Sequence, residues 1–317
     1  MIDSTKTSWI KTTARQLGFF YTGIAAATSL DEEARQLERW LQQGRHGSMT
    51  WMERYFDLRT DPLLLVPGAR AVICLAHNYY PEEQPADATA PKVARYAYGQ
   101  DYHRVLKQKL NLLQERMTER FGAFSARSFV DSGPVMERAW AAKAGLGWNG
   151  KNTLTIHPRA GSYFFLAVMI CDLELEYDQP IHDHCGTCTR CIDACPTRAI
   201  DPQGYALDAT KCISYLTIEL REDQLPTAFA GKMENWVFGC DICQEVCPWN
   251  RFAQPHDEPA WVPRQEFLEL TRDDYARMDE PQYERVFAGT PVKRPKWSGF
   301  KRNVDFVLGE GGEKDLA

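Results

Sequence analysis

Apolar positions in the first half of the chain recur at helical spacing, then in short unbroken runs, with glycine and proline between them. After Ser8, which can cap a helix, Trp9, Ile10, Ala14 and Leu17 share one face, and Gly18 supplies a stop. Residues 19–25 then predict a short strand. Asp31 opens a second helix, with Leu37, Trp40 and Leu41 inward and Gly44 as its end. Residues 49–56 keep a helical pattern. Residues 57–62 are expected to be a loop, because Pro62 pushes Asp61 out of helix. A turn at 66–68 precedes a buried strand over 71–76, and 81–91 read as a polar, proline-bearing loop.

Asp101 opens a long helix to about residue 121, carrying Val105, Leu106, Leu110 and Leu113 on one side. A strand at 128–130 delivers Asp131 to a turn at Gly133 and Pro134, and a helix over 135–144 takes Pro134 into its first turn. Residues 145–152 are glycine-rich, and strands follow at 153–156 and 163–170. This alternation predicts an α/β domain over residues 1–178. Further on, 205–219 predict a strand and a helix bearing Cys212. Beyond residue 255 the pattern is helical in patches. Trp261, Phe267, Leu268, Tyr275, Phe287 and Trp297 all need burial, so residues 256–317 are expected to pack on the body as a helical extension. The glycine-rich end is expected to be loose.

The length of 317 residues suits about two domains with a sizeable core. A net charge of −6 argues against a protein that coats nucleic acid on every face, but allows a local basic patch. The longest apolar run, residues 163–170, is far too short for a membrane helix. No internal repeat occurs beyond the cysteine runs described next.

Eight of the ten cysteines fall in one stretch. Cys185, Cys188, Cys191 and Cys195, followed by Pro196, have the spacing that wraps a cubane iron–sulfur cluster. In that pattern three thiolates close on one cluster and the fourth reaches a neighbour. The neighbour is Cys212, then after a long insertion Cys240, Cys243 and Cys247, again followed by proline. The exchange assigns Cys185, Cys188, Cys191 and Cys247 to one 4Fe-4S cluster, and Cys212, Cys240, Cys243 and Cys195 to the other. Disulfides would need an oxidising compartment, and no secretory apolar segment opens the chain. The expected compartment is therefore the cytoplasm. Zinc more often takes separated cysteine pairs than such a triplet. Cys74 and Cys171 sit in apolar runs and read as core.

Asp131 stands where a strand ends and a turn begins, a usual place for chemistry in an open α/β sheet. A carboxyl shielded there by a cofactor would have a raised pKa and could donate a proton. Capping the next helix is the commoner use of such a residue, and position alone favours it. In the glycine-rich stretch, Gly145, Gly147 and Gly150 let backbone approach a ligand, with Lys151 and Asn152 as hydrogen-bond donors; a helix stop followed by a hairpin explains the same residues. Arg59 and Arg138 are candidate anion binders or surface ion pairs. Near the end, Lys293, Arg294, Lys296, Lys301 and Arg302 interleave with Trp297 and Phe300, with no acid among them. That mixture suits RNA phosphates and bases, and equally a solvated helix start.

Taken together, these motifs resemble the epoxyqueuosine reductase family. The resemblance runs through Arg59 to Pro62, Pro67 and Gly68, Arg95, Tyr98 and Gly99, and Asp101 to His103. It continues through Val130, Asp131, Gly133 and Pro134, Glu137 and Arg138, the run from Gly145 to Asn152, Gly161 to Tyr163, and both cysteine runs. It implies an α+β or α/β architecture: a nitroreductase-like cobalamin-binding domain over 1–178, a bacterial-ferredoxin-like domain with two 4Fe-4S clusters over 179–255, and the short helical extension. The implied reaction reduces epoxyqueuosine in the tRNA wobble position to queuosine. Electrons pass from an unidentified donor through the clusters to cobalamin, with Asp131 as proton donor. The resemblance aligns Arg59, Asp131, Thr155, Leu166 and Ser214 with cobalamin-contacting positions, and Arg138, Lys151 and Asn152 fall in the same segments.

A position that is cysteine in some members is Ala94 here, so that thiol is not essential. Many members carry helical repeats that this sequence lacks, and a monomer is the expectation. His103 is not followed by glycine three residues on, so that motif implies no histidine on cobalt. A corrinoid reductive dehalogenase and a non-catalytic two-cluster electron carrier are the alternatives. Protein purified without air should contain about eight irons per chain and show a visible band that bleaches on reduction. A colourless, zinc-loaded protein would overturn the cluster reading.

Overall fold

The computed structural model describes residues 4–309; the glycine-rich end beyond Gly309 lies outside them. Apolar runs that need both faces covered build a four-stranded sheet. Tyr21–Ala26 pairs with Ala71–Asn78, which pairs with Phe164–Cys171, which pairs with Ala126–Phe129. Every pairing is antiparallel. The alternation of helix and strand along the chain therefore does not produce a parallel, open α/β sheet, because alternation fixes the order of elements and not the direction in which strands return.

One sheet face packs Ile73, Leu75 and Met169 against Ile10 and against Leu106, Leu110, Leu113 and Met117. Those residues come from helices Ser4–Gln16 and Tyr102–Phe121. The first helix starts before Ser8, so Ser8 does not cap it. Asp101 caps the second by accepting from the His103 amide at 3.0 Å. The other face packs Val72, Val168 and Ile170 against Trp140, Ala141 and Leu146. Cys74 and Cys171 are fully buried on opposite faces.

Two stretches depart from the pattern-based reading for stated reasons. Residues 57–62 are not a loop: helices Phe56–Thr60 and Pro62–Leu65 meet at Asp61. The proline clash acts on Asp61 alone, which is extended, while proline itself suits the first position of the next helix. Likewise, the helix after Asp131 begins only at Glu137, so Pro134 lies outside its first turn. In place of a strand, the segment before Cys212 holds an isolated bridge, Ile200 with Leu207, and a single 3-10 turn, Ala209–Lys211; Cys212 itself precedes the helix Ile213–Ile218.

The cysteine segment is built of very short helices. Arg190–Asp193 and Ile242–Glu245 each run up to a Cys-Pro pair. The final helices, Arg272–Arg277, Glu280–Val286 and Lys296–Leu308, form a core of Tyr275, Tyr283, Phe287 and Phe300 on Val237, Phe238 and Tyr98. Trp261 instead enters the main core, where its indole N–H donates to His77 Nδ1 at 3.1 Å. Leu268 and Trp297 are only partly buried.

Asn303 joins the last helix to the body. It is fully buried, and its amide donates to the carbonyls of Thr217 at 2.8 Å and Val237 at 2.9 Å. Asn303→Leu would leave two buried carbonyls unpaired, at a cost of about 2 kcal/mol or more. Thermal unfolding should show a clearly lower midpoint for that variant; an unchanged midpoint would remove the anchoring role.

Candidate active site

Two cavities are walled by the eight clustered thiols. Cys185, Cys188, Cys191 and Cys247 line one, together with Lys151, Asn152 and Trp249. Cys195, Cys212, Cys240 and Cys243 line the other. Each set draws one cysteine from the opposite run. All eight are free thiols. Soft sulfur donors in two groups of four are the ligand set that 4Fe-4S clusters use.

The second cavity extends well past its cysteines, with a volume of about 370 Å³. Its lining also includes Arg138, Thr155, Leu166 and Ser214. Leu154, Phe164, Ile200, Leu207 and Ile213 make much of the wall apolar, and no histidine is among its lining residues. An apolar wall with a few convergent polar groups suits a large organic cofactor that presents a ring and polar side arms. The residues therefore fit a corrin. The Thr155 hydroxyl is set by a 2.9 Å bond to Asn149, across the hairpin of Trp148–Asn149 and Thr155–Ile156. Gly147 permits that hairpin, since a Cβ there would meet the Ile156 carbonyl at 2.0 Å.

Lys151 and Asn152 serve the thiol cavities rather than the apolar wall. The Lys151 ammonium donates to the carbonyls of Gly186 at 2.7 Å and Cys188 at 3.1 Å. Asn152 lines both cavities and donates to the Cys243 carbonyl at 3.3 Å. Arg138 makes no ion pair among the described residues; it donates to the Thr153 carbonyl at 2.8 Å. Arg59 lies outside the cavity lining and donates to the Trp51 carbonyl at 3.0 Å. Its Nε is buried without a partner, and desolvation lowers its pKa.

Asp131 is not a helix cap. Its backbone is left-handed, with φ of 56°, and its amide donates to Glu137 Oε1 at 2.6 Å. The side chain is 61% exposed and lies outside the cavity lining. It accepts from the Tyr102 hydroxyl at 2.5 Å and lies 3.3 Å from His103 Nε2. His103 Nδ1 is 2.7 Å from Asp101. Tyr102 is held between Phe165 and the His103 ring, with centroids 4.4 and 4.1 Å away. Its ring meets Tyr96, a cavity-lining residue, edge-on at 6.0 Å.

The raised pKa expected for Asp131 is not what this arrangement gives. Burial acts to raise it, but bonds from His103 and Tyr102 outweigh burial and hold the carboxylate below its usual range. The proton sits on His103 instead. Burial acts against that charge, yet Asp101 and Asp131 together push His103 up to about 9. Burial and the Asp131 charge raise Glu137 to about 8. Sequence reading used Asp101 to His103 for the family resemblance and to exclude a cobalt ligand, and so missed the contacts of His103 and Tyr102 with Asp131. The signal was present in the helix cap, which turns both side chains toward the end of the Ala126–Phe129 strand.

The basic residues near the end do not form one free face. Lys293 pairs with Glu284, and Lys301 with Asp305. Arg294 pairs with Glu219 at 3.0 Å, and Arg302 donates to the carbonyls of Leu216, Leu220 and Glu222 at the end of helix Ile213–Ile218. Of the five, Lys296 and Arg302 make no ion pair among the described residues. The stretch contains no acid, but neighbouring elements supply them. No helix among the described residues is long and apolar enough to cross a membrane.

The cysteine segment, residues 184–250, matches the family described as 4Fe-4S double cluster binding domain, which places the chain among paired-cluster proteins. Residues 59–132 match the family described as Epoxyqueuosine reductase QueG. An epoxyqueuosine reductase of Cyclobacterium marinum is 53% identical over 306 residues, covering 96% of this chain and 97% of that protein. One of Salmonella typhimurium is 41% identical over 305 residues, covering 95% and 79%. Among solved structures, an epoxyqueuosine reductase with an epoxyqueuosine-modified tRNA-Tyr stem loop superposes with a TM-score of 0.83 at 30% identity, covering 95% of this chain and 80% of that one. A Bacillus subtilis epoxyqueuosine reductase, with its catalytic loop swung out of the active site, matches with the same TM-score of 0.83, 30% identity and coverage of 95% and 80%. The chain belongs to the epoxyqueuosine reductase family.

Because His103 binds its proton more tightly in the folded state, the Asp101–His103–Asp131 network stabilises the fold fully below about pH 6.5 and loses that contribution as pH rises through about 9. Melting temperatures of wild type and His103→Gln should therefore converge between about pH 7 and 9. A difference that does not narrow would show that the network is uncharged.

Proposed function

We propose that this chain reduces the epoxide of epoxyqueuosine in tRNA to the alkene of queuosine. The observation that carries the reading is that one cavity is lined both by Cys195, Cys212, Cys240 and Cys243 and by Arg138, Thr155, Leu166 and Ser214. One cysteine set thus borders directly on space suited to a corrin. When bound, cobalamin fed by the two clusters supplies the low-potential electrons that the epoxide carbon–oxygen bond requires.

The side chains have separate tasks in this scheme. Cys185, Cys188, Cys191 and Cys247 hold one cluster, and Cys195, Cys212, Cys240 and Cys243 hold the other. Arg138, Thr155, Leu166 and Ser214 hold and orient the cofactor, while Lys151 and Asn152 fix the loops that carry the thiols. Arg59, with its unpaired buried Nε, supplies positive charge for an anionic group of cofactor or substrate. Opening the ring and releasing its oxygen as water consumes two electrons and two protons. Asp131 delivers the proton to the developing alkoxide.

In the arrangement described, Asp131 is deprotonated and docked on Tyr102 and His103. The delivering position therefore requires its loop to move toward the cavity, leaving those two donors. Once outside their influence and shielded by the cofactor, the carboxyl regains an ordinary or raised pKa and can carry a proton. His103, protonated at neutral pH, is the nearest store from which it refills. The chain acts in the cytoplasm, where its tRNA substrate and a reduced electron donor meet.

The test is incubation of cobalamin-loaded, cluster-loaded protein with epoxyqueuosine-tRNA and dithionite, followed by mass spectrometry of the nucleosides. Queuosine should appear with wild type. Asp131→Asn should keep cobalamin and both clusters yet lose roughly a hundredfold or more in turnover. Full turnover in that variant would remove Asp131 from the reaction; absence of queuosine with fully loaded wild type would overturn the function.

A further inference from the structure

We propose that the open cleft beside Cys247 docks a small acidic protein that delivers electrons one at a time. The inference rests on the reaction above, which must be fed reducing equivalents. The cleft has a volume of about 1000 Å³, and its wall includes Tyr80, Arg190, Arg251, Pro248 and Cys247. Cys247 and Pro248 also wall the first thiol cavity. A protein seated in the cleft therefore lies against the ligand shell of the first cluster. The second cluster's cavity is the one that opens toward the corrin space. Entry at Cys247 thus gives an ordered path: carrier, first cluster, second cluster, cofactor cavity.

The charge of the cleft selects the carrier. The chain as a whole has a net charge of −6, yet Arg190 and Arg251 are exposed on this rim. Neither has a carboxylate partner among the described residues. Arg251 is held ready: its guanidinium lies over Phe252 at 4.4 Å and donates to the Pro248 carbonyl at 3.2 Å. The lining carries three arginines, Arg95, Arg190 and Arg251, against two carboxylates. Glu245 is paired with Arg95 at 2.7 Å, and Asp193 keeps its charge while accepting from the neutral Thr189 hydroxyl at 2.7 Å, so the balance of the wall is positive. Two free guanidiniums around an open concavity attract an acidic surface. Electron-transfer encounters are small and transient, and complementary charge sets their rate.

Iron–sulfur clusters take single electrons, so the donor is a one-electron carrier. For each epoxide reduced, two single-electron transfers oxidise carrier molecules. The clusters are reduced and reoxidised in turn, the carbon–oxygen bonds break, and the oxygen leaves as water with two protons.

The experiment uses the loaded holoenzyme and reduced flavodoxin as the acidic probe, with bleaching of cluster absorbance followed by stopped flow. Arg251→Glu should slow bleaching by roughly tenfold, and Arg190→Glu with Arg251→Glu should slow it further and abolish its salt dependence. Dithionite, which needs no docking, should bleach all three proteins alike and support equal turnover. Flavodoxin reduction of the double variant within about twofold of wild type would overturn the proposal. So would a wild-type protein that dithionite reduces and flavodoxin does not. Dithionite-reduced wild type that leaves epoxyqueuosine intact would instead sink the proposed reaction, while the bleaching rates would still report on docking.

Discussion

The exchange of one cysteine between two runs is the constraint on which the rest of the structure depends. Cys247 closes a cavity with the first run, and Cys195 closes one with the second. Neither run can move without displacing the other's fourth thiol. The short helices Arg190–Asp193 and Ile242–Glu245 are too brief to hold themselves together. The segment depends on the clusters its exchanged thiols are proposed to hold and on what surrounds it. The hairpin bearing Lys151 and Asn152 grips its loops from one side, and the terminal helices cover Val237 and Phe238 from another.

That constraint was the most legible part of the sequence, because thiol spacing is a local signal that survives any tertiary arrangement. Burial was also readable. Val105, Leu106, Leu110 and Leu113 face the sheet as their spacing demands, and Cys74 and Cys171 are core. Strand direction was not readable, since antiparallel and parallel returns use the same apolar runs. Nor were charge partners. The basic stretch from Lys293 to Arg302 has no acid within it, but Glu219, Glu284 and Asp305 reach it from flanking and distant positions. Arg302 is spent on the carbonyls that end a helix, a use that no charge pattern reveals.

Asp131 shows the same limit for chemistry. Its position at a strand end was correctly read as unusual, but its ionisation depends on two residues nearly thirty positions earlier. The Asp101 cap turns His103 and Tyr102 toward it, and the resulting network keeps the acid charged and the imidazole protonated. The Asp131 backbone is left-handed, and beyond the carboxylate's bonds to Tyr102 and His103 this residue is held by its amide's bond to Glu137. Its solvent-facing, ionised form and a buried, proton-carrying form would be two settings of one short loop.

Asn152 touches the walls of both thiol cavities and bonds the chain beside Cys243. It thus stands in the partition between the two thiol cavities. Tunnelling between redox centres weakens exponentially with the gap, so the thickness of that partition sets the current the wire can carry.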